Sequence, residues 1–133
     1  MKITIIGGSG FVGTRLTKRL LEAGHTVKIA DKNNTKKYPE LWVFSDVREP
    51  DTLLKELAGS DVVINLAAEH RDDVSPKSLY DDVNVTGAEN VCNACIQLGI
   101  TKILFTSSVA VYGFAPVGTD ETGKINYFND YGR

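Results

Sequence analysis

A chain of 133 residues is one domain's length, enough to enclose a single core and too short for a second substantial domain. Hydrophobic residues at 42% and charged residues at 24% match a folded globular protein and exclude a disordered one. The 15 basic and 17 acidic side chains leave a net charge of -2 with no basic run, which excludes a grip on nucleic acid; no apolar stretch is long enough to span a membrane and no signal-peptide layout opens the chain, so a cytoplasmic address is expected.

Residues 2–6 form a short apolar run that ends in a glycine cluster, the pattern of a buried parallel strand. Residues 11–23 carry Val12, Leu16, Leu20 and Leu21 at helical spacing, and Gly24 stands where a left-handed helix cap is favoured. A second strand is predicted over 26–30 and a third over 42–44, separated by a polar loop. A short helix over 51–57 turns at Gly59 into strand four, 61–66. The polar stretch 69–78 leads to a long helix over 79–98 that ends at Gly99, and strand five covers 102–106. Beyond Gly113 both periodicities fade, so 114–130 reads as loop.

Strands that alternate with helices and are apolar along their length imply a parallel sheet covered on both faces. Right-handed crossovers then give the strand order 3-2-1-4-5 of a doubly wound, Rossmann-type α/β fold. The long helix holds Cys92 and Cys95, a C-x-x-C whose spacing invites a redox reading. Both lie well inside the helix, away from the start where a thiol pKa is lowered, so two buried helix residues are expected, with redox or metal chemistry as the alternative. His25 and His70 are the two histidines, and no metal-ligand set is assembled.

Between strand one and helix one stands Gly7-Gly8-Ser9-Gly10-Phe11-Val12-Gly13, a G-x-x-G-x-x-G. Such a turn uses one glycine for a backbone angle closed to other residues, a second to bring the main chain against a pyrophosphate, and a third to pack helix on strand. The amides at the helix start face the phosphates, and the helix dipole favours their charge. Three glycines alone are also found in purely structural turns. Here the turn is answered by Asp31 at the end of strand two, where a carboxylate accepts hydrogen bonds from the hydroxyls of an adenosine ribose. That charge repels a 2′-phosphate, so NAD is favoured over NADP. Lys32, Lys36 and Lys37 are the cations that could instead hold such a phosphate, or they are simply solvated.

From here the chain resembles the extended short-chain dehydrogenase/reductases, the NAD-dependent epimerase/dehydratase family. The likeness is carried by residues 7–13 with Asp31, by Ser45-Asp46-Val47-Arg48, by Asn65-Leu66-Ala67-Ala68, by Asn84-Val85-Thr86-Gly87 and by residues 106–113. It implies that Gly7, Gly10, Phe11, Val12 and Gly13 lie along the pyrophosphate, Asp31 and Lys32 at the ribose, and Asp46 and Val47 over the adenine. Leu66, Ala67 and Ala68 would run beside the ribose and nicotinamide, with His70 and Val83 approaching the same cofactor and Ser107 against the nicotinamide. Ser108 falls at the family's catalytic Ser/Thr position. Read without the likeness, two serines ending a strand are turn residues.

Tyr131-Gly132-Arg133 resembles the first three positions of the family's Y-x-x-x-K, whose lysine would fall two residues past Arg133. A tyrosine acting as a base must approach the phenolate near neutral pH against a reference pKa of about 10, and in the family that lysine assists. The resemblance therefore implies the dinucleotide-binding portion, residues 1–133, of a sugar-nucleotide epimerase or dehydratase, itself inactive and with a tyrosine prone to fray. A stand-alone dinucleotide-binding module and a reductase of a small carbonyl compound are the alternatives. An uncovered fifth strand is expected to leave an apolar sheet edge open to homodimer formation or swapping.

Overall fold

The computed structural model describes residues 1–133. Five parallel strands run in the order β3-β2-β1-β4-β5, with β1 at Lys2–Ile6, β2 at Thr26–Asp31, β3 at Trp42–Phe44, β4 at Val62–Asn65 and β5 at Ile103–Phe105. The doubly wound topology and strand order are those the alternation of elements predicts. Register sets Ile5 of β1 between Ile29 of β2 and Ile64 of β4.

The period of two along the strands divides the core between the two faces of the sheet. Ile3, Ile5, Val27, Val62 and Ile64 pack with Leu16 and Leu20 of α1, Phe11–Glu22. Ile6, Ala30 and Val63 face the other way, onto Leu53 and Leu57 of α2, Pro50–Leu57, and onto Val91, Ala94 and Cys95. Ile5, Ile29, Leu53, Leu57 and Val63 have no solvent exposure, and each such side chain contributes about 1.5–3 kcal/mol by leaving water. Thr4 interrupts the apolar run of β1, and its hydroxyl is satisfied by Ser60 at 2.7 Å.

The predicted long helix differs in one respect. A first turn, α3 at Ser78–Tyr80, runs on without a break into a π-helical segment, Asp81–Thr86, and then into α4, Gly87–Gln97. The wider π turn shifts the helix register, a device often found beside functional sites. Close packing follows directly after it: a Cβ at Gly87 would stand 2.6 Å from Cγ2 of Val47.

One expectation needs correction. Cys95 is buried but Cys92 is exposed, because Val91, Ala94 and Cys95 form the i, i+3, i+4 stripe that faces the sheet and Cys92 is turned off it by one residue. Tyr131, expected to be prone to fray, sits in a turn that makes side-chain contacts with the rest of the fold. Its turn is tied back through Asn129 to Asp72, at 3.1 Å, and through Arg133 to Asp81, at 2.9 Å. Within residues 1–133, Ile103, Leu104 and Phe105 of β5 are all exposed. No helix is long and apolar enough to cross a membrane.

Candidate functional site

The chain leaves β1 toward β2 and β3 on one side and returns to β4 and β5 on the other. Loops that part in this way open a crevice at the carboxyl ends of the strands. A cavity of about 890 Å³ lies there, lined by the ends of the strands and by residues 130–133. Its size falls in the range of small-molecule sites, about 300–1,000 Å³.

The glycine turn forms its floor. Gly7 has φ +71°, and a Cβ there would lie 2.7 Å from the Ala67 amide, so this glycine lets the turn abut the loop after β4. A Cβ on Gly13 would lie 2.4 Å from the Gly8 carbonyl oxygen, so this one lets α1 sit against the turn. Gly10 differs from both. Its φ is -73°, and a Cβ would meet nothing but the Gly7 carbonyl oxygen at an ordinary 3.5 Å. Internal packing does not demand glycine at position 10, and the space beside it belongs to the cavity. No side chain caps α1, and the amides of Phe11 and Val12 carry no hydrogen bond, which leaves donors and the positive end of a helix dipole facing the crevice. Phe11 and Val12 are exposed at 71% and 55%, large apolar surface left at the cavity rim.

Asp31 is buried, and its carboxylate accepts the Ser9 amide at 3.0 Å and the Asn33 amide at 2.9 Å. It thus braces the glycine turn while keeping lone pairs for a further donor. Lys32 beside it pairs with Glu69 at 3.2 Å. Asp46 is buried against Arg48, whose Nε donates at 3.0 Å, and this hydrogen-bonded guanidinium holds the carboxyl below its usual range. Val47 is buried, and its carbonyl accepts from Asn90 at 2.9 Å.

On the far side, Leu66, Ala67 and Ala68 leave β4, with the Ala67 amide held by the Asn65 side chain at 3.1 Å. His70 stands edge-on to Tyr131, ring centres 6.3 Å apart. Ser107 and Ser108 follow β5. Ser108 opens a short 3₁₀ turn, Val109–Tyr112, and its hydroxyl accepts the Ala110 amide at 3.2 Å, which leaves its proton free to donate into the cavity. Gly132 brings the tyrosine turn against this element, since a Cβ there would lie 2.5 Å from the Ala110 carbonyl oxygen.

The residues expected to meet the cofactor or carry the chemistry line this one cavity: the three glycines with Phe11 and Val12, Asp31 with Lys32, Asp46 with Val47, residues 66–68, His70, Val83, Ser107, Ser108 and Tyr131; Lys36, Lys37, Cys92 and Cys95 do not. Sequence reading passed over Glu69 and Asn84, which also line it. Asn84 clips the Glu69 main chain from both sides, accepting from its amide at 2.8 Å and donating to its carbonyl at 2.9 Å. The signal was Asn84's place in the Asn-Val-x-Gly block, but nothing in that block names residue 69.

Comparison with known proteins agrees with this arrangement. The family model described as the NAD dependent epimerase/dehydratase family matches residues 3–133. Over 98% of its length the chain is 50% identical to the Escherichia coli O157:H7 protein named N-acetyl-alpha-D-glucosaminyl-diphospho-ditrans,octacis-undecaprenol 4-epimerase, covering 39% of that protein. It is 36% identical to 2-alkyl-3-oxoalkanoate reductase of Stenotrophomonas maltophilia, covering 41% of it. The crystal structure of Thermus thermophilus UDP-glucose 4-epimerase in complex with NAD superposes on 99% of the chain with a TM-score of 0.89 and 27% identity, over 46% of its own length. The chain thus spans less than half of each relative, and the whole of what it spans is the cavity-bearing sheet. With its family model matched from β1 to the tyrosine turn, this chain belongs to the NAD-dependent epimerase/dehydratase family.

Proposed function

We propose that residues 1–133 are a single NAD-binding domain, and that the protein epimerises or dehydrates a sugar carried on a diphosphate. The observation that carries this reading is Gly10. It is a glycine that the fold itself does not need, beside unbonded amides at a helix start, in a cavity braced by a buried acid.

In this reading Gly7, Gly10, Gly13, Phe11 and Val12 hold the pyrophosphate, Asp31 and Lys32 meet the ribose, and Asp46 and Val47 flank the adenine. Leu66, Ala67, Ala68, His70, Val83 and Ser107 line the nicotinamide half. When bound, NAD supplies a hydride acceptor for a sugar carbon. Ser108 would donate a hydrogen bond to the oxygen on that carbon and orient it, keeping its own proton. Tyr131 takes the hydroxyl proton and later returns it, as a general base that becomes a general acid. The relatives' names motivate the substrate class: one carries its sugar on a polyprenyl diphosphate and another on UDP.

Calorimetric titration of the protein with NAD is the first test, and no binding at millimolar NAD would refute the reading. In the full-length protein, Ser108→Ala and Tyr131→Phe should then abolish conversion of diphosphate-linked sugars while NAD still binds. Retained turnover in either variant would remove that residue from the chemistry.

A further inference from the structure

The Lys32–Glu69 pair has a definite place in the crevice. Lys32 follows β2 and Glu69 follows β4, the two strands that flank β1. Their charged ends meet at 3.2 Å, so the pair bridges the crevice above the carboxyl end of β1, on the rim of the cavity that both residues line. Glu69 is held in position by the main-chain clip from Asn84, itself set in the π-helical segment. The acid is the more shielded partner, 22% exposed against 44% for the lysine.

Lys32 directly follows Asp31, the acid assigned to the ribose. It is the one lysine of the cavity lining; Lys37 is drawn away over the Tyr38 ring, 5.5 Å from its centre. An ammonium in this position is the natural partner for a 2′-phosphate, since phosphate is bound by charge-assisted hydrogen bonds. Here that ammonium is already engaged.

We propose that Glu69 is a cofactor-selecting residue: by pairing with Lys32 it withholds the cation a 2′-phosphate would need, and it adds a second negative charge to the cavity that Asp31 lines. This inference rests on the NAD reading of the cleft. With Asp31, Lys32 and Glu69 ionised, the rim is net negative and a 2′-phosphate is repelled. Glu69→Gln makes the rim neutral and releases the lysine. The Lys32–Glu69 contact of 3.2 Å lies inside the screening length of about 8 Å at physiological salt, so the pairing persists in ordinary buffers.

The test is calorimetric titration with NAD and with NADP of the full chain, as wild type, as Glu69→Gln and as Glu69→Gln with Lys32→Gln. Glu69→Gln should raise NADP affinity about tenfold and change NAD affinity by less than about threefold. Adding Lys32→Gln should cancel the gain. The Asn84 clip uses main-chain atoms at position 69 and survives both changes, which thermal melting verifies; Glu69→Ala should give the same shift if the glutamine variant misfolds. An unchanged ratio of NADP to NAD affinity in the Glu69 variants would overturn the proposal, and so would a gain that survives Lys32→Gln. A wild type that binds neither dinucleotide would refute the cofactor reading itself, and this inference with it.

Discussion

Placing an alanine first at Gly13 and then at Gly10 separates the two tasks of glycine in the turn. At Gly13 the new methyl would stand 2.4 Å from the Gly8 carbonyl oxygen and 2.5 Å from the Gly8 Cα. Both are main-chain atoms that cannot swing aside, so α1 must lift from the turn. Overpacking of this kind costs about 3 kcal/mol. Unfolding entropy near 2.1 cal/mol/K per residue gives about 0.28 kcal/mol/K for a cooperative unit of this length, so the melting temperature should fall by roughly 11 °C. At Gly10 the methyl meets one oxygen at 3.5 Å, with φ -73°, an angle any residue adopts. The stability change there should stay within about 1 kcal/mol, or roughly 4 °C. Cofactor affinity should move the other way, because a methyl at Gly10 stands where the pyrophosphate must approach. A loss of at least about tenfold, ~1.4 kcal/mol, is expected. Differential scanning calorimetry and titration with NAD on the two variants read both quantities. Undiminished affinity in Gly10→Ala would reduce the turn to a structural element, and an unchanged melting temperature in Gly13→Ala would refute the packing argument.

Other perturbations follow from the same coordinates. The Thr17 hydroxyl is fully buried without a hydrogen-bond partner, so the isosteric Thr17→Val should stabilise by about 1 kcal/mol, read as a higher urea midpoint. Of the two thiols, exposed Cys92 should react at once with a disulfide reagent, whereas Cys95, buried and with its pKa raised by that burial, should react only on unfolding; two fast thiols would contradict the helix orientation. The Asp46 carboxyl is held below its ordinary value by Arg48, so the pair stabilises the fold fully above the unfolded pKa of about 3.9 and that contribution is lost as pH falls through the lowered folded value. Asp46→Asn should flatten the loss of stability in acid, measured by urea titration at several pH values.

Much of the fold was legible because its code is local. Apolar runs of three to six residues alternating with helical stripes dictate a doubly wound sheet, and glycines at positions 24, 59 and 99 mark the element ends by their positive φ. The cavity lining was legible through the glycine turn and the resemblance together, since Asp31 gains its meaning from the turn it faces. What stayed hidden is what depends on register or on distance along the chain. A π turn changes which carbonyl an amide reaches without changing the residues that compose it, so Asp81–Thr86 read as ordinary helix. The same limit explains Cys92, one residue off a buried stripe. Lys32 and Glu69 lie far apart in the chain, and a surface pair of this kind leaves no periodic trace.

The polar stretch before the long helix joins places that the sheet keeps apart. Glu69 at its start reaches Lys32 beside Asp31, while Asp72 and Lys77, with Asp81 just beyond the stretch, fasten the turn that carries Tyr131. A single strap therefore runs from one wall of the crevice to the other. Freeing its first anchor should therefore be readable at the last, as a broadened Tyr131 ring signal.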